Sequence, residues 1–148
     1  MPDINHRVYI KVDKENVYKT LTTSEGWNAW FTDNTSINLN SDGTGEIRLR
    51  WTEFGSKKEN IEDGGNILEA VPNKSFVFRW SPGEGETTVS FKLESFKKGT
   101  LVILCETGYS NSEKDLEACL GCAVGWGEAL TLLKVYLECG NVYKQDLL

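Results

Sequence analysis

Residues 112–140 read SEKDLEACLGCAVGWGEALTLLKVYLECG, and the fold turns on how this stretch is taken. Leu116, Cys119, Leu120, Ala123, Trp126, Leu130, Leu133 and Leu137 recur three and four positions apart, which is the spacing of one helix face. Ser112 is a natural N-cap, Glu113 and Asp115 fall in the first turn, and Gly140 stands where a helix commonly stops. About 28 residues rising 1.5 Å each reach roughly 42 Å. One long terminal helix is therefore expected to lie along a whole sheet.

The sheet is read upstream of that helix. Ile4, His6, Val8, Ile10 and Val12 alternate with polar neighbours as in a half-buried strand. Val17, Tyr18 and Leu21 then switch to helical spacing, and Ser24 is read as the N-cap of a second short helix carrying Trp27, Trp30 and Phe31. After a polar stretch from Thr32 to Asp42, strands are expected at 45–54, at 66–71 after a turn at Asp63-Gly64-Gly65, and at 75–81, 87–95 and 100–107. Connections this short make consecutive strands antiparallel. The expected fold is α+β: a curved six-stranded antiparallel sheet, two short helices and a long C-terminal helix on one face.

The chain has 148 residues, enough to bury roughly 70% of the unfolded surface as a single domain spanning 1–148. Its 16 basic and 22 acidic residues leave a net charge of −6, which opposes phosphate binding and argues against nucleic acid as a partner. The amino-terminal residues show no apolar segment behind a basic start, and no apolar run is read as a bilayer span. The expectation is a cytoplasmic protein that is not in a membrane.

Several strings resemble a known family. They are Val8-Tyr9-Ile10, Val17-Tyr18, Leu21-Thr22-Thr23, Trp30-Phe31, Val71-Pro72, Gly99-Thr100, Gly108, Gly125-Trp126-Gly127 and Leu133-Lys134 through Gly140. In this order and spacing they resemble the START-like (SRPBCC) helix-grip superfamily. Within it they are similar to the branch named after the carboxy-terminal domain of the activator of the ninety-kilodalton heat-shock chaperone's ATPase. The resemblance covers essentially the whole chain. It implies a cavity between sheet and final helix, and members that are variously small-molecule carriers, cyclase-like enzymes and co-chaperone modules. Fold alone does not choose among these.

Aromatic residues on inward rows give the candidate ligand wall: Trp30, Phe31, Trp51, Phe78, Trp80, Phe91 and Trp126, with Leu130 and Glu106 beside them. Aligning Gly99-Thr100 with the family pattern turns Val102, Leu104 and Glu106 inward. His6 shares the face of Val8 and Ile10, so His6 and Glu106 form a candidate polar pair at one pocket end. The alternative is a histidine hydrogen-bonded to backbone. An enzyme would need His6, Glu106 or Tyr109 to converge.

Cys119-Leu120-Gly121-Cys122 spells CxxC, but it lies about two turns into the helix rather than at its start, and no second ligand pair accompanies it. No metal or cofactor is expected, and the enzyme motifs with known mechanics are absent. Gly121, Gly125 and Gly127 inside a helix call for compensation, either close approach to the sheet or room over a ligand. Leu101, Ile103 and Cys105 must point outward if their neighbours point in, an apolar row suited to a homodimer. The preferred function is a carrier or sensor of a small apolar or aromatic molecule. An enzyme in the same pocket and a chaperone-binding module are the alternatives.

Overall fold

The computed structural model describes residues 2–54 and 57–144. Elements run β1 (Ile4–Ile10), α1 (Lys14–Thr22), α2 (Ser24–Trp30), β2 (Ser36–Leu39), β3 (Gly45–Phe54), β4 (Glu59–Val71), β5 (Ser75–Trp80), β6 (Thr87–Phe96), β7 (Gly99–Thr107) and α3 (Glu113–Cys139). The strands form one antiparallel sheet in the order β1-β7-β6-β5-β4-β3-β2. The architecture is α+β, with α3 gripped by the sheet.

The sheet has seven strands where the sequence suggests six. The added one, β2, holds only Ser36, Ile37, Asn38 and Leu39 and pairs along the edge with β3. Four half-polar residues inside a polar stretch carry too short an alternation to read. Asp63-Gly64-Gly65 is likewise not a turn. All three lie inside β4, facing Leu49, Arg48 and Ile47 of β3. Glycine is needed there because a Cβ on Gly64 would lie 2.1 Å from the Ile47 carbonyl oxygen, so the turn composition marks close strand approach instead.

The helix ends follow local chemistry. Asp13 caps α1 by accepting from the Asn16 N–H at 2.9 Å. The N-cap of α2 is Thr23 rather than Ser24, with Thr23 Oγ1 accepting from the Gly26 N–H at 3.0 Å. Ser112 caps α3, and Gly140 closes it in the left-handed conformation at φ 73°.

Alternation sets the core. Val102, Leu104 and Glu106 of β7 are buried, while Leu101, Ile103 and Cys105 are only half-covered on the convex face. α3 lies on the concave face and buries Cys119, Trp126, Ala129, Leu130, Leu132 and Leu133. By length and composition it is apolar enough to cross a membrane, a property the sequence reading did not credit to it. Its apolar stripe also drifts off the core at its amino-terminal end, because Leu116 and Leu120 are exposed.

Candidate functional site

A cavity of about 380 Å³ opens between the middle of α3, the end of α2 and strands β3 to β5. Its walls are mostly apolar, formed by Phe31, Trp51, Trp80 and Trp126, with Phe54, Ile61 and Pro82 toward the rim. The rings support one another: Trp80 and Trp126 centroids are 5.4 Å apart, and Phe31 meets Trp51 edge-on at 5.3 Å. Aromatic pairs at such spacings favour offset or edge contacts, which holds a wall in shape without a ligand.

Phe54 reaches this wall through a backbone irregularity. Strict alternation from Trp51 would turn it outward. A register shift between Trp51 and Phe54, with Glu53 at φ 50°, brings it instead to the cavity with its ring 6.0 Å from that of Trp51. Bulges re-aim side chains in this way. No residue in the sequence announces it.

Glu106 lies behind the wall, fully buried. Its Oε2 accepts from Trp80 Nε1 at 2.7 Å, Thr87 Oγ1 at 2.5 Å and the Tyr109 hydroxyl at 2.8 Å, and its Oε1 accepts from Trp126 Nε1 at 2.9 Å. Four donors satisfy a carboxyl group that would otherwise be costly to bury. Two of the four are wall indoles, so Glu106 fixes the orientation of Trp80 and Trp126. Burial, together with the nearby Cys122 and Glu106, pushes the Tyr109 hydroxyl well above the usual phenol range.

The expected His6 and Glu106 pair is not formed. β1 and β7 are neighbours as expected, but Ile4 stands opposite Glu106 while His6 stands opposite Leu104. His6 Nε2 lies 2.8 Å from the Ala123 carbonyl oxygen of α3. The register sets His6 two residues away from the position opposite Glu106, and the imidazole packs beside Gly127, where a Cβ would make ordinary contact at 3.4 Å from His6 Cε1.

Of the candidate wall, Phe31, Trp51, Trp80 and Trp126 line the cavity. Trp30, Phe78, Phe91 and Leu130 are buried in a second layer behind it. There Trp30 stacks on Phe31 at 5.2 Å and Phe91 meets Trp126 at 5.8 Å.

Two polar wall residues escape a reading by alternation alone. Asp63 sits on the concave face opposite Leu49, and its Oδ1 accepts from the Gly64 N–H at 2.7 Å and the Ser81 N–H at 2.9 Å. Burial raises its carboxyl above the ordinary range, outweighing those two hydrogen bonds and the Arg48 charge that pull it down. Cys122 also lines the cavity, and burial pushes its thiol up to about 11. Burial pushes the Cys119 thiol up as well, so neither sulfur of the CxxC pair has its thiolate form favoured. Among the described residues no cluster of His, Cys, Asp and Glu has the makings of a metal site.

The helix glycines divide by role. Gly121 and Gly125 line the cavity, and a Cβ on either would meet nothing within 4 Å. Their missing side chains leave the opening clear. The rim opposite is tied down by Asp115, whose carboxylate accepts from the Glu84 N–H at 2.8 Å and the Ser110 N–H at 2.7 Å. These two bonds, Glu84 first, hold its carboxyl below the usual range.

Comparison with known proteins places this geometry. The solution structure of the Aha1 dimer from Colwellia psychrerythraea matches with a TM-score of 0.72 at 25% identity, covering 95% of this chain and 99% of that one. The crystal structure of SSP2350 from Staphylococcus saprophyticus matches with a TM-score of 0.72 at 24% identity, covering 95% of each chain. DynU16, a putative protein of the dynemicin biosynthetic locus, shares the fold with a TM-score of 0.73 at 18% identity, over 94% of this chain and 48% of its own. No curated protein sequence matches. The family model for Activator of Hsp90 ATPase homolog 1-like protein matches residues 11–138. With that match spanning most of its length and the helix-grip architecture around it, the chain belongs to the Activator of Hsp90 ATPase homolog 1-like family.

Proposed function

We propose that this protein binds a small aromatic or otherwise apolar molecule between its sheet and α3, as a carrier or sensor. The observation that carries the reading is the cavity of about 380 Å³ walled by three indoles and Phe31, two of the indoles anchored on one buried carboxyl group. This volume is toward the lower end of ligand pockets, roughly 300–1,000 Å³, and suits a molecule of two or three rings. The enzyme alternative is less well served. Glu106 and Tyr109 are bonded to each other behind the wall, and His6 is bonded to Ala123.

Native mass spectrometry of the purified protein tests for a retained molecule, and titration of indole fluorescence with a naphthalene alcohol tests the pocket. Binding is expected to quench the indoles in a saturable way. No response to the naphthalene alcohol, a flavonoid or a fatty acid would end the carrier reading.

A second reading, a chaperone-binding module, is favoured by one observation besides the family name. Leu120 and Val124 of α3 are 72% and 65% exposed, with Leu116 one turn earlier, and such apolar patches often mark interaction sites. Stimulation of ATP hydrolysis by an Hsp90-type chaperone, lost in Leu120→Lys with Val124→Lys, is the test.

Self-association belongs with the same proposals. The similar Colwellia protein is described as a dimer, and the half-covered row Leu101, Ile103 and Cys105 lies on the convex face that no helix covers. Sedimentation equilibrium of Leu101→Lys with Ile103→Lys against wild type tests it, and a wild-type mass of one chain would refute it. The four free cysteines, two of them sharing one helix turn, are compatible with a reducing compartment, and a cytoplasmic location is part of the proposal.

A further inference from the structure

The geometry points to an organic cation as the ligand: an ammonium group facing Asp63, carried on an aromatic or alicyclic body that packs against Trp51, Trp80 and Trp126. This inference rests on the cavity being a ligand site, as proposed above, and names the chemistry that site selects.

Three features converge. The first is charge. Both charged residues of the wall, Glu62 and Asp63, are acidic, and among the described residues no lysine or arginine lines it. Glu62 is engaged by Arg48 at 3.1 Å and Arg50 at 3.5 Å. Asp63 is different: Oδ1 holds two backbone N–H groups, while Oδ2 has no hydrogen-bond partner among the described residues. One acceptor oxygen is thus left at a mostly apolar wall.

The second feature is the ring faces. A cation is attracted to the negative face of an aromatic ring, most strongly to tryptophan and more so when partly desolvated. Three indoles surround this opening. Trp80 and Trp126 also donate their N–H groups to Glu106, and a hydrogen bond to a carboxyl acceptor polarises the donor and leaves its ring richer in electrons.

The third feature is the cost of burying the Asp63 carboxylate. Burial raises its carboxyl above the usual range, and the neighbouring Glu106 adds to that. An ammonium beside Oδ2 would lower it again, because an opposite charge at contact favours the ionised form. A carboxylate ligand would do the reverse and meet like charge. The net charge of −6 also draws cations toward the protein and repels anions.

The experiment is calorimetric titration with three probes of matched size: 2-naphthylmethylammonium, 2-naphthylmethanol and 2-naphthoate. The expected order is ammonium tightest, by on the order of tenfold over the alcohol, and naphthoate weakest. In Asp63→Asn the ratio of ammonium to alcohol affinity is expected to collapse to near one. Equal or weaker binding of the ammonium by wild-type protein overturns the inference, as does a preference that survives in Asp63→Asn. Alcohol binding without a cation preference would defeat this inference and leave the carrier reading standing. Failure of all three probes to bind defeats both.

Discussion

Trp126, at the middle of α3, donates its indole N–H to Glu106 of β7 at 2.9 Å, joining the helix to the sheet directly behind the cavity. The bond ties shape to stability. The same indole packs against Trp80 and Phe91, so it is core on one side and ligand wall on the other. Trp126→Ala is expected to cost about 3–5 kcal/mol, read from urea denaturation. A midpoint unchanged from wild type would mean that the helix is not seated as described.

Replacing Glu106 should separate acceptor loss from volume loss. Glu106→Leu keeps much of the volume but orphans Trp80, Thr87, Tyr109 and Trp126, each unpaired donor costing about 1–3 kcal/mol. Glu106→Gln keeps one carbonyl acceptor and turns the other oxygen into a donor facing a donor. Both should destabilise in urea, the leucine variant more. Equal stability of the two would show that the four bonds do not act as a set.

Asp63 predicts a pH dependence with a definite sign. Its carboxyl is raised in the folded protein, so the fold binds that proton more tightly than the unfolded chain does. Its stabilising contribution is full below the ordinary carboxylate range and is lost as pH rises through the raised value. Asp63→Asn can still accept from Gly64 and Ser81, and it should gain on wild type as pH rises through the window that starts at the ordinary carboxylate range, about pH 4, and ends at the raised value. Parallel stability curves across that window would contradict the burial of this group.

Gly125 separates stability from binding. Alanine there meets nothing within 4 Å, so Gly125→Ala should stabilise α3 by up to about 1 kcal/mol. The new methyl group also intrudes on the cavity rim and should weaken naphthalene binding severalfold. A variant that gains both stability and affinity would remove Gly125 from the opening.

The thiols should report on burial by their reactivity. Burial holds Cys122, Cys119 and Cys105 above the usual thiol range, while Cys139 is exposed. Under native conditions iodoacetamide should label Cys139 first, followed by mass spectrometry of the digest. Fast labelling of Cys122 would mean that the cavity wall opens.

The sequence carried α3 plainly because a core-facing helix repeats its apolar residues over many turns, and its caps at Ser112 and Gly140 are local chemistry. The inward row of β7 was legible only through the family resemblance at Gly99-Thr100, because Leu101 to Cys105 are apolar on both faces, and the strand buries Val102, Leu104 and Glu106 as that alignment implied. What escaped depended on contacts between distant strands. Asp63-Gly64-Gly65 has the composition of a turn, and only the pairing with β3 turns it into a strand that presents Asp63 to the cavity. The bulge that swings Phe54 inward has no signature, and β2 is too short for one. His6 and Glu106 were correctly assigned to neighbouring strands, but a two-residue offset in register gave each a different partner.

The claim that the space between sheet and α3 is a ligand site is tested most directly by the indole N–H signals in a heteronuclear NMR titration with 2-naphthylmethanol. The five tryptophans give one signal each. Those of Trp51, Trp80 and Trp126 should shift in a saturable way, while Trp27, whose N–H is held by the Leu21 carbonyl at 2.7 Å within the core, should stay in place. Wall signals that remain still at millimolar probe would contradict the account.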